Sequence, residues 1–212
     1  GRQALLLPCE KSGARLPRIL WNRGADQMTI YFIRHGMTAG NLERRYIGST
    51  DEPLCEEGKA LLRSRTYPRA DFVYCSPMRR CLETAAILYP DKAPVAVPDF
   101  RECDFGRYEG KNYAELKADA PYLKWVESGG ALPFPDGEDT AAFRARCAAA
   151  FLRVAGTRKT EDTLALVVHG GTIMSILSAY EPSHDYFRWQ CPNGHGYASS
   201  FSEGILTVTG EL

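Results

Sequence analysis

Thr29-Ile30-Tyr31-Phe32-Ile33-Arg34-His35-Gly36 is the stretch from which the rest of the chain is best read. Thr29–Arg34 is a run of β-branched and aromatic side chains, which reads as a buried strand. It stops at His35-Gly36, where a residue without Cβ lets the backbone turn sharply. The same grammar recurs far along the chain. Thr163–Val168 (TLALVV) is a continuous apolar run of the kind used in sheets covered on both faces, and His169-Gly170-Gly171 ends it.

Working outward, Asp71–Cys75 (DFVYC) is a further strand, and Ser76-Pro77 fits a helix start with proline at the first helical position, the helix running to about Tyr89. Glu56–Thr66 and Thr172–Tyr180 read as helices, as does a long stretch from about Asp139 to Ala155 with Phe143, Cys147, Phe151 and Val154 on its inner side. Ala93–Val97 is a short strand, and Tyr197–Phe201 with Ile205–Thr209 looks like a hairpin around Glu203-Gly204. Residues Pro98–Gly137 are less periodic and richer in Gly, Pro and aromatics, a cap-like excursion with short helices around Tyr113–Asp119 and Tyr122–Ser128. Strands alternating with helices predict an α/β fold, a three-layer sandwich with a mainly parallel central sheet and helices on both faces. Such folds bind ligands beyond the carboxyl ends of their strands. His35 and His169, two of only four histidines, stand there.

Lys plus Arg and Asp plus Glu both total 26, a balance that gives no support for a nucleic-acid or membrane-surface partner. Seven cysteines, odd in number and without a CxxC pair, suit buried free thiols in a reducing, cytoplasmic setting. No apolar run approaches a membrane span. Residues 1–27 lack apolar periodicity and are expected to be an extension outside a single catalytic domain of residues 28–212, with Met28 as a native start; an Arg-rich targeting peptide is the alternative.

Three segments carry the chemistry. In Arg34-His35-Gly36-Met37-Thr38-Ala39-Gly40-Asn41 an arginine adjoins a histidine, an unhelpful packing choice unless an anion lies between them. A phosphate monoester brings nearly two negative charges, which a guanidinium binds through paired hydrogen bonds. A neutral imidazole can attack phosphorus if its other nitrogen is held by an acceptor. Ser76-Pro77-Met78-Arg79-Arg80 puts arginines at a helix start, where an anion is favoured and a cation is not. Arg80 is the functional candidate and Arg79 the solvent-exposed one. His169-Gly170-Gly171-Thr172 repeats the strand–turn–helix arrangement of His35. Against these stand the plainer readings of a solvated arginine at a strand end and a core histidine bonded to a carbonyl.

Together the motifs resemble the histidine phosphatase superfamily, in the phosphoglycerate mutase-like branch that includes α-ribazole phosphatases. RHG-x-T-x-x-N is matched by Arg34, His35, Gly36, Thr38 and Asn41. The pattern G-x-x-D-x-P-L…G is matched by Gly48, Asp51, Pro53, Leu54 and Gly58, and S-P-x-x-R-x-x-x-T-A by Ser76, Pro77, Arg80, Thr84 and Ala85. E-x-D-F-G-x-x-E-G falls at Glu102–Gly110, and VVHGGT supplies His169. The resemblance implies a phosphoglycerate mutase-like fold and metal-independent hydrolysis of a phosphomonoester, with no cofactor. His35 is then the nucleophile that becomes phosphohistidine. Glu102 is the acid and base, and Arg34, Asn41, Arg80 and His169 surround the phosphoryl oxygens. The implied partner is a small phosphorylated metabolite, with α-ribazole 5′-phosphate the first specific suggestion. No Asp, Glu and His cluster has metal-ligand spacing, and Cys191 with His195 is better read as structural.

The sequence departs from the mutases, which usually carry Trp-Asn where Gly40-Asn41 stands, and residues 98–137 show no basic cluster for a second phosphate. Phosphoglycerate mutase remains an alternative, as does a non-catalytic phosphate-binding or signalling module. Tyr108, Tyr113, Tyr122, Trp125 and Phe134 in the excursion either stack on a substrate ring or pack the excursion onto the core, the second being the commoner use of aromatics.

Overall fold

A computed structural model describes residues 27–212. The expected extension over residues 1–27 therefore falls, Gln27 apart, outside the described residues. The chain runs β1 (Met28–Arg34), α1 (Ala39–Leu42), α2 (Glu56–Ser64), β2 (Phe72–Cys75), α3 (Arg79–Leu88) and β3 (Val95–Ala96). The excursion follows, with α4 (Tyr113–Leu116) and α5 (Ala120–Glu127), and then α6 (Thr140–Gly156), β4 (Thr163–Val168), α7 (Gly170–Tyr180), β5 (Gly196–Ser202) and β6 (Ile205–Glu211).

The strands form one sheet in the order β3-β2-β4-β1-β5-β6. The first four are mutually parallel, whereas β5 is antiparallel to both β1 and β6. The turn between β5 and β6 uses Glu203 and Gly204, both with positive φ, the arrangement that matches the twist of two hairpin strands.

Side chains on the central strands alternate between two cores, as strand geometry requires. Ile30 and Phe32 of β1 and Leu164, Leu166 and Val168 of β4 pack with Phe143, Cys147 and Phe151 of α6 and Ile173 and Ile176 of α7. On the other face Ile33, Val73, Cys75, Ala165 and Val167 meet Cys81 and Ala85 of α3. The expected three-layer α/β sandwich is thus present. The centres of both strands, residues 30–33 of β1 and 164–168 of β4, carry apolar or aromatic side chains because each faces a helical layer on both sides.

Several element boundaries differ from the sequence reading. Helix α3 starts at Arg79, not at Pro77: Met78 is still extended, although its amide donates to the Ser76 hydroxyl that His169 also engages. Strand β3 shrinks to Val95-Ala96, since Pro94 and Pro98 bracket it and Val95 lies on an exposed edge, 49% accessible. Helix α7 begins two glycines early, at Gly170, directly after the extended His169. Among the described residues no helix is long and apolar enough to cross a membrane.

Phe151 is fully buried and touches the rings of Phe32 and Phe201, joining α6 to the centre of the sheet. Phe151→Ala is expected to lower stability by about 3–5 kcal/mol, read as a lower urea midpoint with unchanged slope.

Candidate active site

Parallel pairing of β1 with β4 matches Arg34 to Val168, so the next residue of each strand, His35 and His169, comes to the same edge of the sheet. The His35 amide donates to the Val168 carbonyl at 2.9 Å, and the two imidazoles meet edge to face with centroids 5.1 Å apart. Each has a different hydrogen-bonding problem.

His35 is 3% exposed, and its Nδ1 lies 2.7 Å from the Gly36 carbonyl. A carbonyl only accepts, so Nδ1 carries the proton and Nε2 keeps its lone pair. Burial, followed by the Arg80 and Arg34 charges, holds this imidazole well below the ordinary histidine range, against an opposing effect of the Gly36 bond. His35 is therefore neutral at neutral pH, with its orientation fixed and its outer nitrogen free to act as a nucleophile.

His169 is fully buried. Arg80 donates from Nε to its Nδ1 at 3.3 Å, which leaves the proton on Nε2, directed to the Ser76 hydroxyl at 2.8 Å. Burial and the Arg80 charge keep His169 neutral too. The Arg80 guanidinium is itself inaccessible and donates to the carbonyls of Thr50 (2.7 Å) and Gly48 (2.9 Å). That loop is held from its other side by Glu109, whose carboxylate accepts from the Gly48 and Ser49 amides and the Thr50 hydroxyl. Arg79, by contrast, is exposed and paired with Glu83.

Arg34 donates from Nη1 to the Cys191 carbonyl at 2.7 Å and lies against Gly170 at the start of α7. Its Nε is buried with no hydrogen-bond partner. A buried donor without an acceptor is costly, and an arriving anion would relieve it. The amino end of α7 at the same place favours negative charge as well.

Asn41 forms a capping box with Thr38 at the start of α1. Its Oδ1 accepts from the Thr38 amide at 3.2 Å and from Asn193 Nδ2 at 3.1 Å, which turns the Asn41 amino group away from both donors. Glu102 accepts from the backbone amides of Cys103 (3.0 Å) and Gly171 (3.1 Å). Burial nonetheless raises its carboxyl above the usual range, the two amides and the Arg80 and Arg34 charges opposing. A carboxyl pushed toward its neutral form is suited to donating a proton.

A cavity of about 310 Å³ opens over these groups, and Arg34, His35, Asn41 and Glu102 all line it. Arg80 and His169 do not; they are packed behind His35 rather than exposed to the cavity. The remaining walls are largely aromatic, among them Tyr46, Phe105, Trp125, Phe134 and Tyr186. The excursion aromatics divide accordingly. Trp125 and Phe134 reach the cavity, Tyr108 and Tyr122 are buried in packing, and Tyr113 is exposed. Among the described residues no group of three or more His, Cys, Asp and Glu side chains could hold a metal ion.

Two contributors escaped the sequence reading. Asn193 donates from Nδ2 to the His35 carbonyl at 3.1 Å as well as to Asn41, and the neighbouring Gly194 amide donates to the Arg34 carbonyl at 3.1 Å. The Asn-Gly pair is legible as a turn, but nothing local says which distant carbonyls that turn clasps. Glu109 lay inside a recognised motif, without the loop it secures being apparent.

The match to the histidine phosphatase superfamily (branch 1) runs over residues 30–209. The chain belongs to this superfamily. It is 29% identical over 163 residues to the adenosylcobalamin/alpha-ribazole phosphatase of Escherichia coli, covering 72% of this chain and 78% of that protein. It is also 29% identical over 169 residues to phosphoglycerate mutase-like protein 4 of Arabidopsis thaliana, covering 74% and 73%. Among solved structures it resembles a phosphoserine phosphatase from Entamoeba histolytica in complex with 3-phosphoglyceric acid, at 26% identity and a TM-score of 0.72, covering 87% of this chain and 96% of that one. The chain is accordingly an enzyme of the histidine phosphatase class, with a phosphoglycerate mutase-like fold.

Gly171 is what lets Glu102 reach its place, because a Cβ there would stand 2.3 Å from Glu102 Oε1. Gly171→Ala is expected to displace the carboxyl and lower kcat for an alkyl phosphate by roughly 10²-fold. Phosphoenzyme formation from nitrophenyl phosphate, whose leaving group needs no proton, should be much less affected in parallel single-turnover assays.

Proposed function

We propose that the chain hydrolyses a small-metabolite phosphomonoester through a phosphohistidine formed on His35. The observation that carries the reading is His35 itself: a buried neutral imidazole, tethered at Nδ1, lining one cavity with an arginine whose Nε has no partner and a carboxyl raised toward its acid form. In the first step His35 Nε2 forms a bond to phosphorus while the phosphorus–ester oxygen bond breaks. Glu102 gives its proton to the departing alkoxide. In the second step the Glu102 carboxylate takes a proton from water as the water oxygen attacks phosphorus. The N–P bond then breaks and returns its electron pair to Nε2, releasing orthophosphate.

Arg34 and the Asn41 amino group hold the phosphoryl oxygens in this scheme. Arg80 adds charge and its remaining Nη1 hydrogen from behind, and His169 fixes the Arg80 guanidinium and abuts the His35 ring. Preorganised donors around a dry site supply the stabilisation that a metal provides in other phosphoryl-transfer enzymes. A mutase must in addition retain a doubly phosphorylated intermediate, and of the two other arginines lining the cavity Arg45 is already paired with Glu43 and Glu115, whereas Arg144 is not.

For the substrate, the aromatic walls suit a ring such as that of α-ribazole 5′-phosphate, named for the Escherichia coli relative. That compound leaves one wall residue, Arg144, without a use.

In rapid-quench experiments, wild type should yield an acid-labile, base-stable phosphoenzyme mapping to His35, and His35→Ala should lose both this species and turnover. Stable activity in His35→Ala would sink the mechanism. Glu102→Gln is expected to slow an alkyl phosphate by about 10²–10⁴-fold while sparing phosphoenzyme formation from nitrophenyl phosphate. Because the His35 pKa is lowered, the acid limb of kcat/KM should lie below the ordinary histidine value. Because that of Glu102 is raised, the alkaline limb for an alkyl phosphate should lie above the ordinary carboxylate value. The alkaline limb should disappear for nitrophenyl phosphate in its phosphoenzyme-formation rate.

A further inference from the structure

Three other arginines stand near the cavity, and their commitments differ. Arg146 is held by Glu138 through both Nε and Nη2 and donates to the carbonyls of Asp99, Arg101 and Glu102, so its charge is satisfied within the fold. Arg45 lines the cavity, but Glu43 and Glu115 neutralise it at 2.6 and 2.7 Å. Arg144 lines the same cavity with neither an acidic partner nor a hydrogen bond among the described residues. Its guanidinium carbon lies 3.7 Å from the centre of the Tyr186 ring, which also faces the cavity.

Stacking on an aromatic face fixes the plane of a guanidinium while leaving its N–H groups in that plane, unengaged. A stiff aromatic backing with free donors at the edge is how an arginine is prepared for a planar anion such as a carboxylate. Aromatic walls, Trp125 and Tyr186 among them, and the open donors of Arg144 thus face the space that the organic part of a phosphate ester would fill. At about 310 Å³, the cavity lets one small molecule reach both ends.

We infer that the leaving group of the substrate carries its own anionic group, a carboxylate, which Arg144 binds from its perch on Tyr186 while Arg34 holds the phosphate at the other end of the cavity. The inference rests on the phosphatase reading of this site and narrows it to phosphorylated carboxylic acids with an apolar or aromatic body. It also explains why Arg144 needs no acid of its own. The substrate brings one.

The test compares para-tolyl phosphate with para-carboxymethylphenyl phosphate, whose leaving groups are similar in acidity and differ in the distal charge. Wild type should favour the carboxylated ester by about tenfold or more in kcat/KM, mainly through KM, as expected for a charge-assisted hydrogen bond at a half-buried site. In Arg144→Gln that ratio should fall to about one, and Arg144→Lys, which keeps the charge without the fork, should lie between. The same ratio is then measured as equilibrium Kd in His35→Ala, where no turnover intervenes, with and without Arg144→Gln. A wild-type ratio near one, or a preference that survives Arg144→Gln in both measurements, overturns the inference. Absence of turnover of either ester by wild type, with the Kd preference intact, would instead overturn the phosphatase reading and leave the anion site standing.

Discussion

Positive charge buried without a matching negative charge is the constraint on which this site depends. Arg80 is wholly inaccessible and finds carbonyls and an imidazole rather than a carboxylate. Arg34 keeps a buried Nε with no acceptor at all. Desolvating a guanidinium is expensive unless something negative compensates it, and the carboxyl beside these groups, Glu102, is itself biased toward its neutral form. The folded protein therefore carries an electrostatic deficit that an anion would relieve. Burial first, and the Arg80 and Arg34 charges with it, keep His35 and His169 unprotonated and so leave a nitrogen lone pair available.

Holding such an arrangement together falls to groups that never face the cavity. Glu109 gathers the amides of residues 48 and 49, that loop offers its carbonyls to Arg80, Arg80 orients His169, and His169 is closed off by Ser76. On the other side Asn193 clasps the His35 carbonyl and the Asn41 amide together, and the Gly36 amide donates to the Thr84 hydroxyl at 3.0 Å. His35 is fixed by its main chain as much as by its ring, the kind of placement the proposed phosphoryl transfer would require.

The opposite end of the cavity follows other rules. It is built from the excursion, Phe105 included, from α6 and from the segment around Tyr186, which supply aromatic rings for shape and, from Arg144, an open guanidinium. The phosphoryl end sits at the ends of the central strands, while the other end depends on segments outside the sheet. A scaffold divided in this way can keep one chemistry and change its leaving group by altering those segments alone.

How much of this the sequence determined depends on how local the physics is. The apolar runs at 29–34 and 163–168, each broken by His-Gly, sufficed for buried strands in an α/β sandwich with histidines at their ends, because strand burial is a matter of consecutive residues. The motifs around Arg34, Arg80, Glu102 and His169 singled out the residues that the fold gathers. The sequence could not say that Arg80 and His169 lie behind the cavity while Arg34, Asn41 and Glu102 line it, nor that Trp125 and Phe134 turn inward while Tyr113 does not. Those outcomes hang on contacts between residues up to 158 positions apart, such as Asn193 with His35. Depth, neighbours and unpaired donors arise only when distant segments are packed against one another, so tertiary structure alone decided them.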